Sequence, residues 1–483
     1  MITSISFARA RIFASASLFA LASLVASAAE SAPAIPVAPA ATSAPAAAAA
    51  KPALKDAAGR SLRRAPTGHI TNYYEEKVPP YTLPDPLVLI NGQPVRDADT
   101  WFKLRRPEIL QLYTTEIYGR VPANAPKVTA EVVSTDPAAL DGAAVLKEVV
   151  LHFGEKPDGP ALHLHLYLPA QATGPVPLVL SISFGFGPPA ARGPAPAANT
   201  TIPVTATSTP APAAATVATA PTTATPARGP AVIRGEPIAD ILGRGYGYAV
   251  FRYTEIQPDS ATGFTSGVIG LTLAPGQTKP APDEWGTISA WAWGLSRVQD
   301  YLETDSGVDA KRVAIVGHSR LGKTVLWAAA QDPRFAMIFS SQGGEMGSAI
   351  ARRDFGETVD DMAASFGYQF AGNFQKYPGH WNDMPVDAHF LISLCAPRPL
   401  LVTGGSGDQW SDPHGEFLGV VAAGPVYRLL GQPDLGTTEM PPLDTPVING
   451  KLAFLEHDGP HAITPLDWKT FLDYADKYLK TVR

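Results

Sequence analysis

Cysteine is nearly missing from this chain, which has a single one, Cys395, among its 483 residues. One cysteine excludes an internal disulfide, so the folded state must depend on a hydrophobic core, and the chain is long enough to build one. No cysteine near the N-terminus could accept a lipid. Cys395 stands in an apolar run before Ala396-Pro397, and we expect it to be a small buried hydrophobic residue.

Basic residues do not outnumber acidic ones either. Lys and Arg number 38 against 44 Asp and Glu, which gives a net charge of -6 and argues against nucleic acid as a partner. The apolar run near the N-terminus, Ile12 to Val25, is too short and too rich in Ala and Ser for a membrane anchor. Two arginines precede it and small residues follow it, which is typical of a secretory signal. We predict a signal peptide at residues 1–29 and an exported protein, periplasmic or secreted, without a membrane anchor.

Two stretches have few bulky apolar residues. Residues 30–66 are mostly Ala, Pro and Ser, and residues 187–231, approximately, are mostly Ala, Pro and Thr. Such compositions cannot bury enough apolar surface to fold, so we predict a disordered linker and a disordered surface insertion. The rest, residues 67–483, is predicted to be one esterase domain, and we expect a monomer.

Strands and helices alternate through the second half of the chain. This order predicts an α/β fold with a mostly parallel, doubly wound sheet and helices on both faces. The predicted strands are Leu146 to Phe153, Leu162 to Leu168, Leu178 to Ser183, Ala249 to Tyr253, Arg312 to Val316, Phe335 to Ser341, Leu400 to Gly404 and Lys451 to Leu455. Helices are predicted at Asp99 to Tyr118, Ile238 to Leu242, Gly286 to Thr304, from the turn at Ser319 to Ala330, and from about Pro465 to Leu479.

The stretch from Arg312 to Lys323 carries the strongest chemical signal. A β-branched apolar run leads into a Gly-x-Ser-x-Gly turn and then a helix, the pattern of a nucleophile elbow. Gly317 and Gly322 would let strand and helix approach closely around Ser319. The helix N-terminus beyond Ser319 offers free N–H groups that suit an oxyanion.

Asp408 and His461 follow later strands, each just past a strand end. The order Ser, Asp, His is the chain order of α/β-hydrolase triads. A Ser hydroxyl is a poor nucleophile until a His takes its proton, and a carboxylate must hold that imidazole's tautomer. The three residues therefore predict a serine hydrolase that needs no metal and no organic cofactor.

The elbow resembles one family in particular. Gly317 to Lys323 is similar to the Gly-Cys-Ser-Arg-x-Gly-Lys signature of glucuronoyl esterases, carbohydrate esterase family fifteen. The resemblance runs from about Asn72 to Leu479, interrupted by the predicted insertion. Bacterial members are also similar at Tyr81 to Pro86, Asp283 to Thr287, Ala290 to Gly294, Arg352-Arg353, Phe355 to Thr358, Pro385 to His389, Ala396 to Pro399, Gly459 to His461 and Asp467-Trp468.

The resemblance implies the α/β-hydrolase fold and a substrate class. The family cleaves esters of glucuronic acid, typically the 4-O-methyl form on xylan, whose carboxyl is linked to lignin alcohols. By position, Ser319 is then the nucleophile, His461 the base, and Arg320 the residue that stabilises the oxyanion. Lys323 matches the lysine that contacts the uronate hydroxyls. The expected partner is a uronic acid ester of a plant cell-wall polysaccharide.

The chain departs from the family at two positions. His318 replaces a Cys that is disulfide-bonded in fungal members, which fits the lack of a partner cysteine. Gln342 stands where fungal members place the acid, so we take Asp408 from the later strand end as the acid, with Asp412 and Glu345 as alternatives. His457 is a rival to His461 as the base.

Further residues are candidates for substrate binding. Trp410 could cover a sugar face or be a core residue, and Glu357 and Arg353 could reach the uronate or pair with each other. His380 and Trp381 lie in a loop rich in Gly, Pro and aromatic residues. Three other functions stay open. The chain could be an acetyl xylan or other carbohydrate ester hydrolase, a serine peptidase on the same fold, or a carbohydrate-binding protein with a decayed site.

Overall fold

The computed structural model describes residues 54–156, 158–185 and 236–480. The predicted signal peptide, most of the predicted linker and the predicted insertion lie outside the described residues. Residues 54–66 are described, however, and contain two short antiparallel strands, β1 (Leu54–Lys55) and β2 (Ser61–Leu62). Arg60 closes this hairpin through an ion pair with Asp56 at 2.6 Å. Folded structure therefore begins before residue 67, the predicted domain boundary.

A nine-stranded sheet forms the centre of the molecule, in the order β11-β10-β9-β8-β6-β7-β5-β4-β3. The strands from β11 to β7 in this order are mutually parallel, and β5, β4 and β3 continue antiparallel. The mostly parallel sheet that the alternating elements predicted is thereby confirmed. The strands are β3 (Val128–Ala139), β4 (Ala144–Phe153), β5 (Ala161–Pro169), β6 (Val176–Ser183), β7 (Gly247–Arg252), β8 (Val308–His318), β9 (Met337–Ser341), β10 (Leu400–Gly405) and β11 (Leu452–His457).

Helices connect the parallel strands. The α-helices are α1 (Ala98–Thr100), α2 (Arg106–Leu112), α3 (Ile238–Gly243), α4 (Gly267–Gly270), α5 (Thr287–Leu302), α6 (Arg320–Gln331), α7 (Val359–Phe366), α8 (Ala388–Leu394), α9 (Pro413–Leu429) and α10 (Pro465–Leu479). The π-helical segment Trp101–Arg105 joins α1 to α2, and a second one, Tyr113–Ile117, continues α2. Together they form the helix predicted at Asp99 to Tyr118. Short 3₁₀ turns lie at Glu75–Lys77, Tyr253–Glu255, Gly263–Thr265, Ala351–Arg353, Gly367–Gln369, Gly372–Lys376 and Trp381–Asp383.

Hydrophobic cores cover both faces of the sheet. Side chains of a strand alternate between faces, and in β8 Val313 and Ile315 join one core whereas Ala314 and Val316 join the other. The first core receives α5, α6, α8 and α9, and the second receives α3 and α10, where Phe339 stacks on Phe471 at 5.0 Å. Burial on both faces explains why these parallel strands read as continuous apolar runs.

The edge strand β3 was not predicted. Ten of its twelve residues are exposed, so its sequence shows neither a buried run nor a clean alternation. It pairs with β4 on one side through a register with two irregularities. Pairing with β4 therefore determines that β3 is a strand, because its own sequence pattern does not.

The parallel strands bring their carboxyl ends to one edge of the sheet. Ser319 follows β8 directly, Gln342 follows β9, Asp408 lies three residues past β10, and His461 lies four residues past β11. In open α/β sheets this edge is where ligands bind. No helix of the described residues has the length and apolar character that crossing a membrane requires.

Candidate active site

Ser319 lies on a strained turn between β8 and α6. Its backbone has φ 59° and ψ -129°, a conformation that L-residues rarely adopt. Glycine is required on both sides, because a Cβ at Gly317 would lie 2.1 Å from the Leu321 carbonyl oxygen and one at Gly322 would lie 2.9 Å from that of Ser341. This is the geometry of a nucleophile elbow, as the motif predicted.

His461 and Asp408 form a hydrogen-bonded pair. Nδ1 of His461 lies 2.5 Å from Oδ2 of Asp408, and 39% of the His461 side chain is exposed against 7% for Asp408. Burial alone would favour the neutral acid, yet the hydrogen bond with His461 holds the pKa of Asp408 below its usual value. An ionised Asp408 favours the tautomer of His461 that carries its proton on Nδ1, in which Nε2 can accept a proton.

The rival base, His457, has different partners. Its Nδ1 lies 3.0 Å from Asp467 Oδ2, and its Nε2 lies 3.1 Å from the carbonyl oxygen of Pro460. The side chain is 2% exposed. The Asp467 carboxylate and the Pro460 carbonyl outweigh burial and raise the pKa of His457, and these contacts tie His457 to the loop that carries His461.

The two alternative acids do not line the pocket that holds His461. Asp412 caps α9 through the Gly415 N–H and pairs with Arg353 at 2.8 Å. Glu345 is fully buried, and burial raises the pKa of its carboxyl well above the usual value. The geometry therefore favours Asp408 among the three candidates.

Gln342 lines the same pocket as the His461–Asp408 pair. Its backbone has φ 49°, and only 1% of its surface is exposed. Its Nε2 donates to the Ala462 carbonyl oxygen at 3.2 Å. An amide can donate here, whereas a carboxylate could not. The replacement of the fungal acid by Gln342 therefore fits a loop whose carbonyl needs a donor.

A pocket of about 310 Å³ opens between these loops. It brings together most of the residues that the sequence singled out for catalysis or substrate binding, and Gln342 with them. Its lining comprises Ser319, Arg320, Lys323, Gln342, Glu357, Met362, Phe366, Gln369, Asp408, Trp410, Ser411 and His461. The volume lies at the lower end of the range for small-molecule sites and leaves room for one sugar ring.

Charged groups line one wall of the pocket. Lys323 and Glu357 are 5% and 9% exposed and lie 3.7 Å apart, from Nζ to Oε2. Arg320 ion-pairs with Asp259 and packs its guanidinium 5.2 Å from the centre of the Phe366 ring. Since α6 begins at Arg320, its first N–H groups also lie next to Ser319.

Trp410 lines the pocket and is partly covered from outside. The guanidinium of Arg63 lies 4.9 Å from the centre of its ring, within reach of a cation–π contact. Arg63 belongs to the stretch assigned to the linker, where the sequence indicated no functional residue. Trp410 is thus a pocket residue rather than a core tryptophan.

Three predicted binding residues do not line the pocket. Arg353 is buried against Asp412 and Glu75 rather than paired with Glu357. His380 is largely exposed, and Trp381 packs edge-on against His69 at 5.4 Å. Conversely, Met362, Phe366 and Gln369 were missed, because α7 and the turn after it contain no recognisable motif and reach the pocket only through tertiary packing.

The described residues contain no group of three or more His, Cys, Asp or Glu that could hold a metal ion.

Cys395 is fully buried, as predicted.

The nine-stranded sheet and the elbow at its carboxyl edge define an α/β-hydrolase fold. Residues 202–431 match the family model for fungal glucuronyl esterases. A curated relative, carbohydrate esterase MZ0003 from an unknown prokaryotic organism, is 39% identical over 417 residues, covering 84% of this chain and 92% of the relative. This chain belongs to the glucuronoyl esterases, carbohydrate esterase family fifteen, and is a carboxylic ester hydrolase.

Two further similarities agree with this assignment. The solved structure of a glucuronoyl esterase from Solibacter usitatus is 43% identical in sequence and has a TM-score of 0.71. The match covers 83% of this chain and 99% of that structure. The 4-O-methyl-glucuronoyl methylesterase 1 of Wolfiporia cocos is 33% identical over 156 residues, 30% of this chain and 38% of that protein.

Proposed function

We propose that this protein hydrolyses esters whose acyl part is glucuronic acid, in its 4-O-methyl form, and that Ser319, His461 and Asp408 perform the reaction. The observation that carries the proposal is the shared pocket, in which the elbow serine and the His461–Asp408 pair meet the buried Lys323 and Glu357. The names of the relatives support the acyl group.

The reaction follows from the proton positions. Nε2 of His461 accepts the Ser319 proton as Oγ attacks the ester carbonyl carbon, and the carbonyl π electrons move to oxygen. Arg320 and the first N–H groups of α6 stabilise that oxyanion. His461 then returns the proton to the departing alcohol, which leaves an acyl-enzyme on Ser319. Water, activated by the same histidine, releases the uronic acid.

Recognition of the sugar is assigned to the other pocket residues. Lys323 donates to hydroxyl oxygens of the uronate and Glu357 accepts from hydroxyl groups, which suits a polyol better than an apolar acyl group. Trp410 covers one face of the ring. The alcohol leaves toward the open side of the pocket, so the enzyme acts on esters that link glucuronoxylan to lignin alcohols in plant cell walls.

We also propose that the protein is exported, to the periplasm or the medium, and acts as a monomer. The signal-like N-terminus, with its linker, supports export. Edman sequencing of the protein recovered from outside the cytoplasm should give a new N-terminus near residue 29. An unprocessed N-terminus starting at Met1 would contradict export by this route.

The decisive experiment compares three substrates: benzyl glucuronate, methyl galacturonate and an aryl acetate. Wild type should cleave the glucuronate selectively. Ser319→Ala should lose activity, and Asp408→Asn should lose about 10³- to 10⁴-fold in kcat, because the histidine adopts the wrong tautomer.

Gln342→Glu serves as the control for the acid's position. It should not raise activity, because a carboxylate there would face the Ala462 carbonyl oxygen. Preference for the acetate would favour an acetyl ester hydrolase instead. Absence of turnover in wild type, with activity appearing in Gln342→Glu, would mean a decayed site.

A further inference from the structure

Asp259 lies behind the pocket wall and outside its lining. Its side chain is 11% exposed and pairs with Arg320, whose own side chain is 27% exposed and lines the pocket next to Ser319. The carboxylate therefore contacts the proposed oxyanion donor without itself lining the pocket.

Each carboxylate oxygen of Asp259 accepts two hydrogen bonds. Oδ2 accepts from Nη1 of Arg320 and from the Tyr253 hydroxyl at 2.8 Å. Oδ1 accepts from the Tyr368 hydroxyl at 2.8 Å and from Nε2 of Gln369 at 3.0 Å. The donors come from three separate parts of the chain, the turn after β7, the start of α6 and the turn after α7. Asp259 thus joins two elements of the pocket wall, at Arg320 and Gln369, to the turn after β7.

Arg320 is restrained in two directions as a result. Asp259 holds an edge of the guanidinium, and the Phe366 ring lies 5.2 Å from its central carbon. An arginine side chain has several rotatable bonds, so a free one would have to be ordered during each catalytic cycle. A guanidinium that is already held avoids much of this cost, and preorganised donors stabilise developing charge most effectively.

We propose that Asp259 is a positioning residue for the reaction, which orients Arg320 toward the oxyanion and fixes Gln369 in the pocket wall. This inference rests on the proposed function, in which Arg320 stabilises the oxyanion. Asp259 acts through Arg320 and does not contact the substrate.

An amide replaces this carboxylate poorly. Arg320 can only donate, so it must face the amide oxygen of the Asp259→Asn variant, and the NH₂ group then faces Tyr368 and Gln369, which both donate to Asp259 in wild type and would have to turn to accept. Asp259→Asn is therefore a conservative change in volume that removes the charge opposite Arg320 and weakens the hold on it.

The test is a double-mutant cycle with Arg320→Ala, measured as kcat and KM on benzyl glucuronate. Arg320→Ala should lower kcat by about a hundredfold or more. Asp259→Asn should lower kcat by about tenfold with a smaller change in KM, since misplacing a catalytic group costs up to about a hundredfold. In the double variant kcat should equal that of Arg320→Ala, because Asp259 has nothing left to orient.

A matched control separates positioning from general damage. Asp305 also binds a cation and a tyrosine, accepting from Lys147 and from the Tyr301 hydroxyl at 2.8 Å, but lines a different cavity. Asp305→Asn should leave kcat unchanged even where it lowers the melting temperature. Should Asp259→Asn not fold, Tyr368→Phe removes one donor to Oδ1 and should show a smaller loss with the same dependence on Arg320.

Additive losses in the cycle, or wild-type kcat in a folded Asp259→Asn or Tyr368→Phe, would overturn the inference. The proposed function is judged separately, by whether wild type cleaves glucuronate esters and Ser319→Ala does not. If those two results hold and the cycle is additive, only the role of Asp259 is rejected.

Discussion

The imidazole rings of His318 and His461 pack against each other, with centroids 4.4 Å apart and planes inclined by 42°. His318 is the residue that replaces the cysteine of the family signature. Burial, reinforced by repulsion from His461, lowers the pKa of His318 to about 3. His318 is therefore neutral at ordinary pH and forms an aromatic wall beside the proposed base.

Replacing this wall should reduce turnover. His318→Ala is expected to lower kcat by about tenfold, because His461 loses a contact that fixes its ring. His318→Phe keeps an aromatic ring and should retain most of the activity. If both variants lose equally, the contact of His318 Nδ1 with Ser341 Oγ, 3.2 Å away, matters more than the ring packing.

His318 should also make stability fall in acid. The unfolded chain binds a proton at this residue below its ordinary pKa of about 6.5, but the folded protein does so only near pH 3. The free energy of unfolding should therefore decrease as pH falls from 6.5 toward 3. In His318→Phe, urea unfolding measured across this range should show a weaker decrease; an unchanged slope would contradict the prediction.

His457 should have the opposite effect. Burial works against its charge, but the Asp467 carboxylate and the Pro460 carbonyl prevail and raise its pKa. A raised pKa contributes stability that is fully present below the unfolded value and is lost as pH rises through the folded value. Wild type should thus lose stability on the alkaline side of pH 6.5.

The variant His457→Gln should remove this alkaline loss and lower the melting temperature at pH 6. Asp467→Asn is the matched change on the other partner and should flatten the same pH dependence. A wild-type profile in either variant would mean that the contact with Asp467 does not raise the pKa of His457.

Arg353 should contribute to stability rather than to substrate binding. Its side chain is 3% exposed and pairs with the similarly buried Asp412. Removing one member of a buried pair leaves an unpaired charge and typically costs about 3 to 5 kcal/mol. Arg353→Met should therefore lower the free energy of unfolding by that amount. For the fraction that folds, KM for benzyl glucuronate should stay near the wild-type value, and a selective rise in KM would reinstate the binding role.

Trp410 should contribute to affinity. Its ring lines the pocket, so Trp410→Ala should raise KM for benzyl glucuronate by about tenfold, equivalent to about 1.4 kcal/mol, with a smaller effect on kcat. Trp381→Phe, a change outside the pocket, provides the comparison and should leave KM unchanged. Equal effects of the two substitutions would argue against a specific sugar contact at Trp410.

Local signals accounted for most of the fold. Both faces of β6, β8, β10 and β11 are buried, so these strands consist of continuous apolar runs. Such runs can be recognised from the sequence. The elbow could be predicted because its glycines follow a recognisable motif. Gly317 is required by the approach of Leu321 within the strand-turn-helix unit, whereas Gly322 is required by the approach of Ser341 in the neighbouring strand β9. The exposed edge strand β3 carries no such signal and was missed.

The roles of carboxylates and histidines were harder to separate. Asp408, Asp412 and Glu345 all follow or flank strand ends, and His457 and His461 lie close together at the end of β11. Sequence order does not distinguish an acid that faces the pocket from one that caps a helix or is buried as a neutral group. Asp412 pairs with Arg353, and His457 pairs with Asp467. No sequence motif predicts either pair.

By itself, then, the sequence determined the serine elbow and the parallel sheet, because each depends mainly on hydrophobic burial or backbone geometry over a few neighbouring residues. The tertiary structure alone decided which carboxylate meets His461, that Arg353 lies outside the pocket, and that Asp259 holds Arg320. These contacts join residues between 53 and 61 positions apart in the chain. Charged side chains pair according to distance and burial in three dimensions, and no local pattern encodes either quantity.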